Sequence, residues 1–358
     1  MLFFLFYALK IISSLETRPT GCCCMTIKEN ITALFNTCCG QPLSITKIQG
    51  DASSRQYFRI IGTTNASVAC YDPAFESSTA IDYPFLVMHE LLSRHDIPVP
   101  AVKAIDAEKG LLLLEDCGEL LLQNLFESQK KQTIPVLYRE IIDILVQLQT
   151  IGGEKTNIPF SRSFDKEILM FEFDFFIEHG LLDYFASAFD LKLIGMLRHE
   201  FEAIAEFLVK PRDFVLNHRD FHSRNILVYK DKPVIIDFQD ARMGLPQYDA
   251  VSLIKDSYIK LDPLLTEELK AHHYNALRSH DLSTMSFDEY LFYFDLMAFQ
   301  RNIKAIGTFC YQTRVKKSNA FEHSIAPTLA YLPDYIDART ELKIAGEILR
   351  PLLDGATS

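Results

Sequence analysis

The sequence predicts an α+β fold of two lobes, with a small antiparallel-sheet N-lobe at residues 25–116 and a larger, mostly helical C-lobe at residues 117–358. Three observations predict it. The chain has 358 residues, 48% of them hydrophobic, which is enough to bury the cores of two domains or lobes. Its first third alternates apolar and polar residues, as strands do. Most of the remainder repeats apolar residues at helical spacing.

The N-lobe begins with a predicted helix near residues 26–37. Residues 42–75 then alternate in polarity, with turn-forming clusters at 50–54 and 62–65, and this pattern predicts three antiparallel strands. The segment "YPFLVMHELLSRHD" has helical spacing, and "IPVPAVKAIDAEKGLLLLED" returns to strand character around a turn. Residues 42–116 are therefore expected to be a small sheet with this one helix packed on it.

The C-lobe is predicted from amphipathic helices over residues 136–151, 166–185 and 194–209. One segment interrupts them, "LNHRDFHSRNILVYKDKPVIIDFQDA" at 216–241, in which two short strands, "NILVY" and "PVIIDF", flank the turn "KDK". Helices resume after residue 250.

Residues 1–24 are predicted to be an N-terminal leader outside the fold, with Met25 as the natural start. The apolar run "MLFFLFYALKII" is shorter than the ~20 residues that span a bilayer. It also lacks the basic segment that precedes the apolar part of a secretory signal.

Charge and cysteine content narrow the possible partners and the compartment. The net charge of −11 argues against nucleic acid or a stable association with an anionic membrane, because both reward clustered Lys and Arg. The eight cysteines include no C-x-x-C pair and are expected to be reduced thiols of a cytoplasmic protein.

The interrupting segment carries side chains suited to phosphoryl transfer. "HRDFHSRN" fits H-x-D-x-x-x-x-N, and "IIDF" follows where a D-F-G aspartate would stand in a bilobal protein-kinase-like fold. Asp220 is the predicted catalytic base, because its carboxylate can receive the proton of an acceptor hydroxyl. Asn225 and Asp237 supply the oxygen ligands that Mg²⁺ prefers. His218 is expected to support the loop, and His222 either supports it or contacts substrate.

The motifs "HRDFHSRN", "IIDFQDA" and "PQYDAVSL" resemble the aminoglycoside phosphotransferase-like small-molecule kinases over residues 40–340. Together with "GDASSRQYFR" and "LMAFQRNIKAIGTF", they are most similar to the bacterial anomeric kinases of N-acetylmuramate and N-acetylglucosamine. The resemblance implies ATP and Mg²⁺ as cofactors and phosphorylation of the sugar at carbon 1 during cell-wall recycling. It also implies that Glu115 to Cys117 form the adenine-binding hinge and that Asp249 braces the catalytic loop.

The nucleotide site departs from the common kinase pattern. The third strand, "SVACYD", lacks the lysine that usually holds the α- and β-phosphates, which leaves Glu90 of the following helix without that partner. Arg55 and Arg59 either supply the missing charge or are solvated strand residues. The predicted nucleotide-binding residues are Gly50, Ser53, Ser54, Arg55, Glu90, Glu115, Asp116 and Cys117. For the sugar, His222 and Arg224 are the candidates.

Three other functions were weighed against this one. A regulated protein kinase needs an activation segment, but "PQYDA" begins only nine residues after Asp237. An aminoglycoside kinase would share the catalytic residues and use an acidic pocket for its polycationic substrate. A non-enzymatic nucleotide-binding scaffold would explain the missing lysine. The acidic side chains available for a pocket, or else for a solvated face, are Asp165, Glu167, Glu172, Asp174, Glu178, Asp183 and Asp190.

Overall fold

The computed structural model describes residues 26–48, 55–76, 82–127, 131–186 and 189–356. Internal packing divides these residues into two units. The first comprises the described part of Met1–Ser77 with Val102–Leu114, and the second comprises the described part of Ser78–Ala101 with that of Glu115–Ser358. The chain therefore crosses between the units more than once, and its last crossing lies close to the boundary predicted after residue 116.

The first unit is a five-stranded sheet with one helix. Helix α1 (Ile27–Cys38) begins with a capping box between Thr26 and Glu29. The strands follow in the spatial order β1-β2-β3-β5-β4, and the pairs β1–β2, β2–β3 and β4–β5 are antiparallel. Apolar side chains of α1 pack on one face of this sheet. The strands are β1 (Pro42–Ile48), β2 (Gln56–Gly62), β3 (Ala66–Tyr71), β4 (Val102–Asp106) and β5 (Leu111–Glu115).

The second unit is mostly helical. Helix α2, which the sequence predicts beside the sheet, groups with this unit by its packing. A π-helix (Ile177–Tyr184) directly continues α4. The helices are α2 (Pro84–Arg94), α3 (Ile134–Gln149), α4 (Lys166–Phe176), α5 (Leu191–Leu208), α6 (Gln247–Ile254), α7 (Pro263–Ser279), α8 (Phe287–Arg314), α9 (Ile325–Leu329), α10 (Leu332–Ala338) and α11 (Lys343–Ala356).

Four short strands carry the interrupting segment. Strand β6 (Val215–Asn217) pairs with β9 (Arg242–Gly244), and β7 (Ile226–Tyr229) pairs with β8 (Lys232–Ile235), both antiparallel. The predicted hairpin is thus present, although β8 ends at Ile235 rather than continuing to residue 238. The chain leaves the strand there and reaches Asp237, whose φ of +66° is in the left-handed region.

The close approach of α8 to α4 matters for the site. A Cβ atom at Gly307 would lie 2.8 Å from the Cα of Phe176, so a side chain at this position of α8 would force the two helices apart. Glycine therefore permits contact between their polar side chains, including Gln300 with Glu172.

The predicted elements of both regions are confirmed, and the fold is that of a mixed α/β chain with an antiparallel sheet followed by a largely helical part. Within the described ranges, no helix has the combined length and apolar character needed to cross a bilayer. The predicted leader, residues 1–24, lies outside the described residues, as do Gly50, Ser53 and Ser54.

Candidate active site

The loop between β6 and β7 presents Asp220, and a buried carboxylate holds its backbone. Asp249, fully buried on α6, accepts hydrogen bonds from the backbone N–H groups of His218 and Arg219, the latter at 3.0 Å. Arg219 has a φ of +84°, a conformation that an L-residue adopts only when its surroundings hold it there. The geometry is therefore that of a carboxylate bracing the loop, the role expected for Asp249.

His218 connects this loop to the segment after β8. Its Nδ1 accepts from the Asp220 N–H at 3.3 Å, so its Nε2 carries the proton that it donates to the Ile236 carbonyl at 3.0 Å. Burial lowers the pKa of His218, which favours this neutral form despite nearby carboxylates. The ring fits the structural role expected for it.

Asp220 lies beside cations that come from α8. The Lys304 Nζ is 3.8 Å from the Asp220 Oδ1, and the Arg301 guanidinium donates to the Arg219 carbonyl at 3.0 Å. Burial alone would raise the pKa of Asp220, but the charges of Lys304, Arg301 and Arg219 outweigh it and hold that pKa well below its usual range. The carboxylate is thus ionised at neutral pH.

Glu172 of α4 completes this charge cluster and corrects an expectation. The sequence groups it with acidic residues of either a substrate pocket or a solvated face, but its side chain is only 5% exposed, which rules out the solvated face for Glu172. Its Oε1 is 3.3 Å from the Lys304 Nζ, and its Oε2 accepts from Gln300 at 2.7 Å. The Tyr248 hydroxyl accepts from Lys304 at 3.1 Å and from Arg301 at 2.6 Å. Lys304 is therefore held between a buried carboxylate and the predicted base.

The residues predicted to hold Mg²⁺, Asn225 and Asp237, lie at the open end of the β7–β8 hairpin. Ile226 and Ile235 form the last residue pair of the hairpin. The Ile236 N–H donates to the Asn225 carbonyl at 3.0 Å, so Asn225 and Asp237 lie just beyond that pair on the two chain segments. The Asn225 amide nitrogen donates to the Asp220 carbonyl at 2.9 Å, so its oxygen is the end that can ligate a cation. Asp237 is exposed and accepts from Gln239 at 2.9 Å.

This donor set fits magnesium. Mg²⁺ commonly uses one or two protein oxygen ligands and completes its shell with water and substrate phosphates. Among the described residues there is no cluster of three or more His, Cys, Asp or Glu side chains that could hold a metal ion.

A cavity of about 110 Å³ opens beside Asp220 in the second unit. His222 lines it, and the Nδ1 atom of His222 is buried without a hydrogen-bond partner among the described residues. Burial lowers the pKa of His222 to about 4, so its ring is neutral and can exchange hydrogen bonds with a bound hydroxyl. Arg224 does not line this cavity. Its guanidinium lies over the rings of Tyr258 and Phe321, at 4.8 and 4.9 Å.

The predicted nucleotide-binding residues that the structure describes are placed as follows. Glu90 is 64% exposed and pairs with Arg94 on its own helix. The Arg55 Nε lies 2.9 Å from the Asp72 Oδ2. In the hinge segment, the Glu115 N–H donates to the Ala101 carbonyl at 2.8 Å.

The structure also describes Asp116 and Cys117 of the predicted hinge and the second candidate arginine, Arg59. Asp116 accepts from the Gly118 N–H at 2.9 Å, and the Cys117 side chain is buried. Arg59 lies on the sheet face opposite the buried Phe58 and Ile60. Their roles toward a nucleotide stay predictions.

The sequence analysis did not single out Tyr248, Arg301 or Lys304, and it named Glu172 only as one of several acidic side chains. A signal was available for two of them, because Arg301 and Lys304 are the cations of the run "LMAFQRNIKAIGTF". Cations spaced three apart on a helix share a face. That this face points toward Asp220 follows only from the packing of α8 against α6 and α4.

Comparison with known proteins identifies the family of the chain. A family model described as phosphotransferase enzyme family matches residues 44–282. An N-acetylmuramate/N-acetylglucosamine kinase of Pseudomonas putida is 27% identical over 319 residues, which cover 87% of this chain and 89% of that protein. A protein of the same name from Neisseria meningitidis is 29% identical over 269 residues, covering 74% and 77%.

Solved structures agree on the fold. The choline kinase LicA from Streptococcus pneumoniae superposes with a TM-score of 0.61 at 13% identity, over 87% of this chain and 99% of that one. The family match and the kinase relatives indicate an ATP-using phosphotransferase with a hydroxyl acceptor. The chain belongs to the phosphotransferase enzyme family.

Proposed function

We propose that this enzyme uses ATP and Mg²⁺ to phosphorylate an amino sugar at its anomeric hydroxyl, converting N-acetylmuramate and N-acetylglucosamine to their 1-phosphates. We place it in the cytoplasm, in the recycling of peptidoglycan sugars. The observation that carries the proposal is an ionised Asp220 on a braced loop, facing a cavity large enough to admit part of a small polyol. The names of the relatives supply the sugar.

The residues of this chain account for the chemistry as follows. Asp220 orients the acceptor hydroxyl and receives its proton as the bond to phosphorus forms. Lys304 and Arg301 hold the carboxylate in its ionised form, and Asp249 fixes the loop backbone. Asn225 and Asp237 would hold Mg²⁺, which offsets the negative charge of the phosphates when it is bound.

The anomeric hydroxyl suits a carboxylate base. A hemiacetal hydroxyl is more acidic than the other hydroxyls of a sugar, so Asp220 has an easier proton to receive there. Positioning then supplies much of the remaining acceleration. This argument, together with the relatives' names, favours carbon 1 over carbon 6.

An aminoglycoside acceptor is disfavoured by the charge of the cavity. Its lining sets the three cations Lys255, Arg301 and Lys304 against the two carboxylates Asp220 and Asp256, so the cavity lacks the acidic excess that a polycationic substrate needs. The buried position of Glu172, compensated by Lys304, removes one of the acidic groups that such a substrate would need.

The test is a panel of acceptors with purified enzyme, ATP and Mg²⁺, followed by identification of the phosphorylated carbon by ³¹P–¹H NMR. We expect N-acetylglucosamine and N-acetylmuramate to yield sugar 1-phosphates. Their methyl glycosides, which carry no proton on the carbon-1 oxygen, should be inert, and kanamycin should be a poor substrate. Phosphate on carbon 6, or a methyl glycoside that reacts as fast as the free sugar, would refute the anomeric assignment.

An Asp220→Asn variant serves as the catalytic control. It keeps the shape of the side chain but removes the proton acceptor, so kcat should fall by about 10²–10⁴-fold while ATP still binds. Turnover close to that of the unsubstituted enzyme would remove Asp220 from the role of base.

A further inference from the structure

Lys255 is a cation of the cavity that the catalytic chemistry does not use. It follows α6 as its C-terminal capping residue and lines the same cavity as Asp220. Its side chain is only 11% exposed, and the ammonium lies over the rings of Tyr331 and Tyr335, at 5.1 and 5.4 Å. A lysine in this setting has lost most of its water.

The charge of Lys255 is poorly compensated. Asp334 lies 3.9 Å from its ammonium, and the Asp334 side chain is 70% exposed, so solvent screens that attraction. Glu267 and Asp295 also act on Lys255 at longer range, but each is paired with another cation, Lys270 and Arg339 respectively. Burial lowers the pKa of Lys255, and the positive charge of Lys270 lowers it further. Lys270 has its own partner, Glu267, at 2.8 Å.

The two acidic side chains of the cavity, Asp220 and Asp256, are already engaged. Asp220 lies beside Lys304, at 3.8 Å. Asp256 accepts from the Ser223 N–H at 2.8 Å and from the Tyr258 N–H at 2.9 Å, so its two oxygens are held by backbone groups rather than by Lys255. A buried cation that lacks a strong partner favours the binding of an anion beside it, because the pair costs less than the lone charge.

We propose that Lys255 forms the subsite for an anionic group of the acceptor, a carboxylate, and that it determines how well the enzyme takes an acidic rather than a neutral amino sugar. The proposal rests on the proposed function, because it concerns the acceptor of that reaction. A phosphate of the nucleotide shares this anion chemistry, so the experiment must separate the two sources.

The experiment compares two acceptors in each variant. In Lys255→Gln, we expect KM for N-acetylmuramate, which bears a carboxylate, to rise by about 10–100-fold, the effect of losing one hydrogen bond to a charged group. KM for neutral N-acetylglucosamine and KM for ATP should stay roughly unchanged. Lys255→Arg should retain most of the preference, since it keeps the charge.

Lys260→Gln is the matched control. It removes the same charge five residues away, from an exposed position outside the cavity lining, and should leave both acceptors unaffected. Turnover of N-acetylglucosamine in Lys255→Gln reports that the variant is folded. Should that variant fail to fold, the unsubstituted enzyme can be compared with N-acetylmuramate and its neutral methyl ester, whose KM should be higher by a similar factor.

The outcomes separate the two proposals. If the unsubstituted enzyme phosphorylates both sugars and Lys255→Gln raises both KM values equally, or raises KM for ATP instead, the carboxylate subsite is wrong and the proposed function stands. The carboxylate subsite is likewise wrong if the methyl ester of N-acetylmuramate has the same KM as N-acetylmuramate itself. If the unsubstituted enzyme phosphorylates neither sugar, the proposed function fails and the subsite fails with it.

Discussion

Replacing Lys304 by Met should damage stability and turnover for two separable reasons. Lys304 lies 3.3 Å from buried Glu172 and 3.8 Å from Asp220. At an effective dielectric constant of about 20, the attraction to a charge at that first distance is about 5 kcal/mol. Arg219 and Arg301 also act on Glu172, and Gln300 donates to it, so part of this attraction remains after the substitution. We expect the free energy of unfolding to fall by about 3 kcal/mol, the lower end for breaking a buried ion pair.

The second effect is on catalysis. Without Lys304 the Asp220 carboxylate loses the cation that lies 3.8 Å from it, and kcat should fall by about 10–100-fold. The fall should be smaller than for a contact that is fully shielded from water, because the Asp220 side chain is 35% exposed. A double variant, Lys304→Met with Glu172→Gln, removes the buried charge that the single variant leaves uncompensated. It should recover more than half of the lost stability while kcat stays low.

Urea unfolding followed by circular dichroism at 222 nm gives the stability of the two single variants, the double variant and the unsubstituted protein. Their four values form a double-mutant cycle, whose coupling term isolates the Lys304–Glu172 pair. Release of ADP in a coupled assay gives kcat. The reasoning would be refuted if Lys304→Met were as stable as the unsubstituted protein, or if the double variant were no more stable than Lys304→Met.

Three further predictions test the metal, nucleotide and fold assignments. Asp237→Ala should abolish turnover at ordinary Mg²⁺ concentrations, with partial recovery at best in high Mg²⁺ or Mn²⁺, because one oxygen ligand of the metal is lost. The measurement is kcat as a function of metal concentration. Normal activity would mean that Asp237 is a loop residue and not a metal ligand. Arg55→Ala or Arg59→Ala should raise KM for ATP or lower kcat. Replacement of the same arginine by Lys should restore only part of the activity, because Lys cannot bind phosphate oxygens bidentately. Unchanged ATP kinetics in both Ala variants would mean that neither arginine contacts the phosphates. His273 is buried between the Tyr290 hydroxyl and the Gln149 side-chain oxygen, and burial lowers its pKa to about 3. Its stabilising contribution is present above the unfolded pKa of about 6.5 and is lost as pH falls toward 3, because the unfolded state binds the proton first. The stability advantage of the unsubstituted protein over His273→Gln should therefore shrink by about 2 kcal/mol between pH 6.5 and 5, as measured by urea unfolding, and a constant difference would contradict the shift.

The sequence predicted most of the secondary structure because the signals are local. The alternation of apolar and polar residues in β2 places Phe58 and Ile60 on the sheet face that packs against α1. The helical spacing of apolar residues identifies α3 and α5. The motif "HRDFHSRN" also fixed which side chains lie on the catalytic loop. Since turn residues and periodicity act over a few positions, they are readable without knowing what the chain packs against.

The surroundings of the base were decided by tertiary packing. Glu172 belongs to a run of acidic residues that reads the same in sequence, and it is buried where α4 packs against α8, which approach closely at Gly307. Lys304 and Lys255 are far apart in sequence, yet both line the cavity beside Asp220.

The sequence by itself therefore determined the elements, the family resemblance and the candidate base and metal ligands. Only the tertiary structure decided which cations face that base and which carboxylate compensates them. The physical reason is that the energy of a charge depends on its burial and on neighbours within a few ångströms, and these are brought together by helices more than a hundred residues apart.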